Sequence, residues 1–424
     1  MPFTSQVRPP RLAAASAGTA PLVAYHFHYL SLISPLTNLV ITPFIGFVIL
    51  PLALISSFVF LLSGYFPFEG LLDSLTAALL SLISAVARFR FAAVPVSAFP
   101  SVLLATFYAG LLIFAWSVLR SQSSRSLRAL RVAAVLTALT PFIAYAVSSA
   151  LSARHLTVTY LDVGQGDASV VEMPDGRVFF IDTGRTGRQV EQFLRYRGID
   201  RIDSLILSHS QADHSGGVER LMNVFAVSEV WHNGRMILPA GLSPQSSRRS
   251  LQRGDIITGQ GFRIIVYHPY EGFYTADTEG NEENNASLVL RIEGRRQSFL
   301  FPGDVETEAE DDLAHFGELL KSSVLKVPHH GSASSLSQDF LDVVSPEVAV
   351  ISLGRGNVYG FPHRDTLDKL EQVRLFVTGR DGAIGIRESG DGSLTIKTWK
   401  DSQLSEAAGF AGELMNLRRI ASVW

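Results

Sequence analysis

Two histidines and one carboxylate lie within six residues of each other in the segment S-H-S-Q-A-D-H, residues 208–214. The apolar run 205–207 precedes this segment and a Gly-Gly pair follows it, which places it on a loop between a predicted strand and a predicted helix. Imidazole and carboxylate groups suit zinc, manganese or iron, and a short loop can direct several of them at one ion. The pattern predicts that His209, Asp213 and His214 are metal ligands; a polar loop with an N-capping side chain is the alternative.

Three further groups of polar side chains come directly after apolar, β-rich runs. They are Asp182 after residues 178–181, Asp304 after residues 298–301, and the pair His329-His330 after residues 324–327. A carboxylate such as Asp304 can bridge two metal ions, although capping a turn is the alternative. Asp182 is interpreted as a ligand or as a side chain that orients ligands. Adjacent histidines after a strand point in different directions, so we expect one to bind metal and the other to contact substrate or support a ligand.

A weaker cluster of functional side chains lies in the segment Y-G-F-P-H-R, residues 359–364. His363 could bind a metal or a phosphate oxygen, and Arg364 could supply a cation. A solvated turn is the alternative. The chain has no cysteine, so disulfides and thiolate metal sites are excluded, and any metal must bind to His, Asp, Glu or neutral oxygen ligands.

The chain divides by charge into two parts that differ in kind. Residues 1–154 carry nine basic and two acidic side chains, a net +7, whereas residues 155–424 carry 27 basic and 37 acidic side chains, a net −10. Long apolar runs fill the first part. We therefore predict a hydrophobic helical membrane region over residues 1–154, a soluble hydrolase domain over residues 155–400, and a C-terminal tail over residues 401–424, which is expected to be helical.

The first part contains apolar runs long enough to cross a bilayer as helices. They cover residues 34–62, 71–87, 101–119 and 132–151. Four arginines between residues 120 and 131 form the strongest basic cluster, and the positive-inside rule places them in the cytoplasm. One further crossing puts the hydrolase domain outside the inner membrane, although Arg88 and Arg90 on the opposing loop weaken this orientation. A cleaved signal peptide is not expected, because the first twelve residues lack an apolar core.

From His155 onwards short β-rich runs alternate with turns and two helical patterns. Grouped strands with helices between them favour two sheets packed between helices over a single parallel sheet. The predicted fold is thus an α-helical transmembrane segment followed by an α/β domain, built as an αββα sandwich. In this fold each polar cluster would lie at a strand end, on a rigid scaffold.

Taken in chain order, these residues resemble the metallo-β-lactamase superfamily: an aspartate at a first strand end, a His-x-x-x-Asp-His loop, a Gly-Asp strand end and a final histidine. The pattern is most similar to ComEC-type DNA-uptake proteins. The segments that resemble their catalytic domain are residues 161–167, 214–217, 285–290, 303–304, 329–332 and 359–363. Residues 24–28 and 38–51 resemble their membrane "competence" region. Because such proteins carry a longer membrane region, the resemblance implies that this sequence corresponds to their C-terminal portion.

The resemblance implies a metal centre and also exposes departures from the family pattern. His209, Asp213, His214, Asp304 and His329 or His330 would hold one or two divalent ions, zinc or manganese, with Asp213, His330 and Asp182 in catalytic roles. Gln211 replaces a ligand, so one of two metal sites is expected to be weak or lost. Asn285 stands where other superfamily members place a histidine, and Phe361 where the family often has histidine. We assign Gln211, Asn285, His363 and Arg364 to substrate contact.

Three functions remain open at this stage. By resemblance, the chain is a membrane-anchored nuclease that degrades one strand of incoming DNA, with DNA, the lipid bilayer and other DNA-uptake components or a second copy as partners. Arginine runs at residues 185–201 and 248–253 could follow a phosphate backbone, although the net −10 argues against tight DNA binding. The alternatives are a hydrolase of another extracytoplasmic anionic or ester substrate, and a catalytically degenerate channel module, which Gln211 favours.

Overall fold

The structure is a computed structural model that describes residues 9–87, 89, 92–120, 124–151, 154–236, 246–273 and 282–401. The chain forms two compact units. The first comprises residues 1–139 with 195–199, and the second comprises residues 140–194 with 200–424. Arg88, Arg90 and all of the predicted C-terminal tail except Asp401 lie outside the described residues.

Helices make up most of the first unit. They are α1 (Pro9–Phe27), α2 (Ser34–Phe44), a π-helical turn (Ile45–Ile49), α3 (Leu50–Ser63), α4 (Glu69–Ala87), α5 (Ser101–Leu119) and α6 (Arg125–Leu151), the last of which continues into the second unit. A short antiparallel pair joins β1 (Tyr29–Ser31) to β2 (Ala93–Pro95). Pro51 cannot donate a hydrogen bond to the preceding turn, and the π-helical turn lies directly before α3, where that bond is lost.

Four helical segments among the described residues are long and apolar enough to cross a membrane. They are Ser34–Ser63, Glu69–Ala87, Ser101–Leu119 and Arg125–Val147. These are the predicted spans, and Pro43 and Pro51 do not divide the first of them. Gly110 of α5 packs against α6, where a Cβ atom would lie 2.6 Å from the carbonyl oxygen of Ala134. Small residues at such contacts let two membrane helices approach closely.

Two mixed β-sheets form the frame of the second unit. The eight-stranded sheet has the order β17-β16-β3-β4-β5-β6-β7-β8, and the seven-stranded sheet has the order β15-β14-β13-β12-β11-β10-β9. The strands are β3 (Thr157–Tyr160), β4 (Ser169–Glu172), β5 (Val178–Ile181), β6 (Arg201–Leu207), β7 (Ala226–His232), β8 (Ser247–Ser250), β9 (Ile256–Gly259), β10 (Phe262–His268), β11 (Val289–Glu293), β12 (Ser298–Phe301), β13 (Val324–Lys326), β14 (Val348–Ile351), β15 (Arg374–Val377), β16 (Ile384–Glu388) and β17 (Leu394–Thr398). Strands β5 to β8 run parallel, as do β12 to β15.

Short helices connect these strands. They are α7 (Arg188–Arg197), α8 (Ala212–Ser215), α9 (Val218–Val224), α10 (Glu282–Asn285), α11 (Thr307–Ala314), α12 (Gln338–Val344), α13 (Arg364–Lys369) and α14 (Thr378–Asp381), with 3-10 turns at Gly317–Leu320 and Pro328–Gly331. The second unit has the predicted αββα architecture of a metallo-β-lactamase fold.

The hydrophobic core of the second unit lies in two layers. One layer joins the sheets face to face, and in it the ring of Tyr160 stacks on that of Phe301 with centroids 5.8 Å apart. The other layer joins the seven-stranded sheet to helices α11 and α12, through residues such as Leu313 and Phe340. Because both faces of this sheet are covered, its central strands are mostly apolar. The packing fixes the strand ends that carry the polar side chains.

Candidate metal centre

The predicted ligands come from the carboxyl ends of two pairs of parallel strands. Asp182 follows β5 and the His209–His214 loop follows the neighbouring β6, while Asp304 follows β12 and His329-His330 follow the neighbouring β13. Parallel neighbours end at the same edge of a sheet, and the two sheets pack against each other. The four strand ends therefore lie close together.

Four buried side chains form a group that could hold a metal ion. Asp167, His214, Asp304 and His330 each offer one ligand atom, and these atoms all lie within 4.8 Å of one another. The Oδ2 atom of Asp304 is 3.1 Å from His214 Nε2 and 3.3 Å from His330 Nε2. Asp213 stands beside them, with Oδ2 3.5 Å from His330 Nε2.

The orientation of the histidine rings fits a cation at this place. His214 Nδ1 lies 2.9 Å from Asp182 Oδ2, and His330 Nδ1 lies 2.8 Å from the carbonyl oxygen of Ser352. In each ring the Nδ1–H group donates a hydrogen bond to this oxygen, which leaves the Nε2 lone pair for a ligand. The Nε2 atoms of His209, His214 and His330 are buried and have no hydrogen-bond partner among the described residues. Buried polar atoms are rarely left unpaired, and a divalent cation would satisfy those of His214 and His330, which belong to the ligand group.

Asp182 orients the histidine loop from behind. Its Oδ1 accepts a hydrogen bond from Ser208 N and its Oδ2 accepts one from Ser208 Oγ, each at 2.8 Å, besides the contact with His214. Asp182 has a φ of 60°, an uncommon conformation for a residue other than glycine. Both oxygens of its carboxylate thus accept hydrogen bonds from the histidine loop and fix its conformation.

The second histidine pair lies on a strained turn. His329 and His330 have φ angles of 45° and 54°, and Gly331 follows with a φ of 79°. Consecutive residues in the left-handed region cost free energy and persist only where the surroundings enforce them. Here the carbonyl oxygen of Gly331 accepts hydrogen bonds from His363 N and Thr366 Oγ1. The strain turns the ring of His330 towards the ligand group.

A buried lysine adds a fixed positive charge beside this group. Lys326 Nζ pairs with Asp167 Oδ2, lies 3.3 Å from Asp304 Oδ1 and donates to the carbonyl oxygen of Gly303 at 3.1 Å. Burial alone would lower the pKa of Lys326, but the charge of Asp167 and then that of Asp304 raise it above its usual value. The ammonium therefore stays charged and neutralises the outer oxygens of both carboxylates.

The pKa values of the other side chains show a network of opposed charges. Burial would raise the pKa of Asp304, but His214, His330 and Lys326 hold it well below its usual value. Burial disfavours protonated His214 and His330, yet nearby carboxylates, Asp304 first, raise both pKa values. The carboxylates around these rings thus favour positive charge at this place, and a metal ion would compete with protons for it.

Two side chains at the border of the group keep charge states suited to ligands. Burial and the nearby ring of His214 lower the pKa of His209 to about 3, so its imidazole is neutral at pH 7. Burial would raise the pKa of Asp213, but the close contact with His330 and the charge of His214 lower it to about 2. Neutral imidazole and ionised carboxylate are the forms that bind metal.

A cleft of about 290 Å³ opens onto this group. Its walls are formed by Gln165, Arg185, Gln211, Ala212, Asp213, Asp304, His329, His330, Tyr359 and Phe361. His329 lies outside the four-residue group, with Nδ1 3.0 Å from Glu306 Oε1. Gln211 donates from Nε2 to Asn284 Oδ1 at 2.5 Å. Both side chains border the cleft rather than the ligand group.

The remaining predicted substrate-binding residues lie elsewhere. Asn285 is buried, accepts a hydrogen bond from Glu306 N at 2.9 Å and donates to Glu308, and it is absent from the cleft walls. His363 caps helix α13 by accepting from Asp365 N. Arg364 is 91% exposed and lies 3.9 Å from Asp368. The structure therefore brings the histidine loop, Asp304 and His330 together but not these three residues.

Asp167 and Lys326 belong to the site but were not assigned to it from the sequence. Asp167 ends the segment L-D-V-G-Q-G-D, which indicated a turn, and its backbone N–H donates to the carbonyl oxygen of Asp213 at 3.1 Å. The signal for Lys326 is its position inside the otherwise apolar run V-L-K-V directly before the two histidines. A buried lysine in a strand requires acidic partners.

Two family models match the chain. The model described as "Competence protein" matches residues 11–121, and that described as "Metallo-beta-lactamase superfamily" matches residues 161–355. The "ComE operon protein 3" of Bacillus subtilis is 30% identical over 411 residues, which is 88% of this chain and 50% of that protein. The "Competence protein ComA" of Neisseria gonorrhoeae is 30% identical over 408 residues, 91% of this chain and 53% of that protein.

The second unit thus defines a metallo-β-lactamase-fold protein. The chain combines this fold with a competence-protein domain, and the predicted resemblance to ComEC-type proteins is confirmed. The chain spans about half the length of the curated relatives it matches. Among solved structures, the metallo-β-lactamase fold protein YhfI of B. subtilis aligns with a TM-score of 0.37 at 11% identity, covering 57% of this chain and 100% of YhfI.

Proposed function

We propose that the second unit is a metal-dependent phosphodiesterase that degrades one strand of DNA during uptake across the inner membrane. The observation that carries the hydrolase function is the convergence of the buried Nε2 atoms of His214 and His330 on Asp304, with the ring of His209 4.2 Å from that of His214. DNA as the substrate rests on the match to competence proteins.

The chain's own side chains would bind and orient a metal ion, zinc or manganese. His214, Asp304, His330 and Asp167 would hold it, with Asp213 and His209 as further ligands. A bound divalent ion lowers the pKa of its water and withdraws charge from a phosphoryl oxygen. Asp182 and the carbonyl oxygen of Ser352 hold the histidine tautomers, and Lys326 keeps Asp304 ionised. Asp213 remains ionised at neutral pH, and its Oδ2 lies 3.5 Å from His330 Nε2 at the cleft wall.

The first unit would anchor this activity to the membrane. Four apolar helical segments overlap the predicted spans, and the competence model covers the first three of them. We propose a multi-pass inner-membrane protein with the hydrolase domain on the extracytoplasmic side. We propose self-association or other DNA-uptake components as further partners of these spans.

The test uses the full chain in detergent. We expect about one divalent ion per chain and metal-dependent degradation of DNA. The Asp213→Asn variant should lose cleavage by a factor of about a hundred or more, whereas Asp339→Asn, at an exposed carboxylate of α12, should cleave as the wild type does.

The outcomes separate the possible functions. Bound metal with hydrolysis of small phosphate esters but not of DNA would replace DNA by another anionic substrate. A folded protein that retains no metal after dialysis and cleaves nothing would contradict the hydrolase function and leave a structural or channel-associated role.

A further inference from the structure

Two aromatic rings lie stacked on the wall of the cleft. The ring centroids of Tyr359 and Phe361 are 5.7 Å apart and their planes differ by 20°. Tyr359 is 58% exposed, whereas Phe361 is half-buried and packs edge-on against His329 with centroids 5.8 Å apart. The two rings therefore form a short ladder that begins beside the second histidine pair and ends in solvent.

The local sequence fixes this ladder. The side chain of Asn357 donates from Nδ2 to the carbonyl oxygen of Phe361 at 2.7 Å, and its Oδ1 accepts from the backbone N–H groups of Tyr359 and Phe361 at 3.2 and 3.1 Å. Gly360 between the rings has a φ of 72°, a conformation glycine adopts without strain. One amide thus closes a turn that holds both rings on the same side, so little side-chain entropy remains to be lost when a ligand stacks on them.

The charges around the cleft make stacking important for binding. Apart from His329 and His330, Arg185 is the one basic side chain on its walls among the described residues, and residues 155–424 carry a net charge of −10. Nucleic-acid affinity usually comes from neutralised phosphates, which this surface offers sparingly. An exposed aromatic face supplies the other common source of affinity, because a base stacks on it whatever the sequence.

We propose that Tyr359 and Phe361 form a stacking platform for an unpaired nucleobase of a single DNA strand whose phosphodiester lies at the metal centre. The inference rests on the proposed phosphodiesterase function and specifies its substrate as single-stranded DNA. In a duplex both faces of each base are covered by its neighbours, so only an unpaired base can stack on Tyr359 without paying for unstacking. The platform therefore favours one strand over the duplex and tolerates any sequence.

The experiment measures binding separately from cleavage. The full chain in detergent, kept in chelator, is titrated against a short fluorescent single-stranded oligodeoxynucleotide, the same strand annealed to its complement, and a strand of abasic sites with the same backbone. We expect the wild type to prefer the single strand with bases. Tyr359→Ala should weaken that binding by about 5- to 100-fold, which is the range for loss of one stacked base.

Three comparisons make the result specific to stacking. Tyr359→Phe keeps the ring and should bind within about twofold of the wild type. Val358→Ala changes the adjacent side chain, which is 91% exposed, and should have no effect. The abasic strand should bind equally weakly to the wild type and to Tyr359→Ala, because neither can stack a base that is absent.

Each result bears on the platform and on the proposed function in different ways. The platform would be overturned if Tyr359→Ala bound the single strand as tightly as the wild type does. It would also be overturned if Tyr359→Ala weakened binding of the abasic strand by the same factor, or if the wild type bound duplex and single strand with equal affinity. Selective binding of the single strand, lost in Tyr359→Ala, would support the platform even if metal-loaded protein cleaves no DNA, and in that case the phosphodiesterase proposal alone would fail.

Discussion

Lys326 Nζ lies 3.3 Å from Asp304 Oδ1, and both side chains are buried almost completely. The other oxygen of Asp304 faces the Nε2 atoms of His214 and His330. Asp304 therefore divides its charge between a permanent cation, supplied by the chain, and the place where a metal would bind. This arrangement lets one buried carboxylate stay ionised whether or not metal is present.

Removing this lysine should destabilise the second unit strongly. In Lys326→Met, buried Asp304 and Asp167 lose their common partner, and breaking a buried ion pair costs about 3–5 kcal/mol because a charge is left uncompensated. The free energy of unfolding is measured on chelated protein by denaturant titration, with fluorescence of buried Trp231 as the signal. Lys321→Met removes a lysine that is 59% exposed and should change the free energy by less than about 0.5 kcal/mol. Equal effects of the two substitutions would contradict the assigned role.

Asp182 should control metal affinity without binding the metal. Asp182→Asn replaces the carboxylate that fixes His214 Nδ1 and Ser208, so the ring of His214 loses its preferred tautomer. Loss of such a supporting group lowers metal affinity about 10- to 100-fold. Competition with a chelating indicator measures the change. Asp162→Asn is the matched control and should bind metal as the wild type does. Asp162 is a nearby exposed carboxylate that accepts a hydrogen bond from Gly164 N.

His209 should make the metal-free protein sensitive to acid. Its folded-state pKa of about 3 lies below the ordinary value of 6.5, so the unfolded chain binds this proton first as the pH falls. The stability that neutral His209 contributes is complete above pH 6.5 and is lost between pH 6.5 and 3, by up to roughly 4 kcal/mol. His214 and His330 act in the opposite direction because their pKa values are raised.

The contribution of His209 is isolated by comparison with His209→Asn. Unfolding free energies of both proteins, measured in chelator across this pH range, should converge as the pH falls if the assignment is correct. A difference that stays constant from pH 6.5 to 3 would show that the histidine titrates normally in the folded protein.

The sequence predicted the strands whose character is local. Residues 178–181 and 298–301 were predicted with the observed bounds because they are apolar runs between turns. Strand β8, of sequence S-R-R-S, was missed because it is an exposed edge strand that owes its conformation to pairing with β7. Strand β16 was also missed, since it is defined by antiparallel pairing with β3, far away in the sequence.

The same distinction holds for the site. The histidine loop and Asp304 have a local signature, a polar group at the end of an apolar strand. Asp167 and Lys326 acquire their roles from each other across the fold, through an ion pair whose acidic member the local sequence around Lys326 does not identify. The sequence could place the metal-binding residue types but not the internal cation that shares their charge.

Gln211 should decide how many metal ions the centre holds. Its amide donates to Asn284, which in turn donates to Glu306 Oε1 at 3.1 Å, so the side chain belongs to a chain of hydrogen bonds that ends on a carboxylate. His209 Nε2 has no partner on this side among the described residues.

Gln211→His would place a second imidazole near His209, and metal content per chain should rise from about one ion towards about two, since imidazole binds zinc far better than an amide does. Gln165→His adds an imidazole to another wall of the same cleft and should leave the content at the wild-type value. Elemental analysis after dialysis measures both variants. A wild-type content already near two ions, or an equal increase in both variants, would show that Gln211 does not limit the second site.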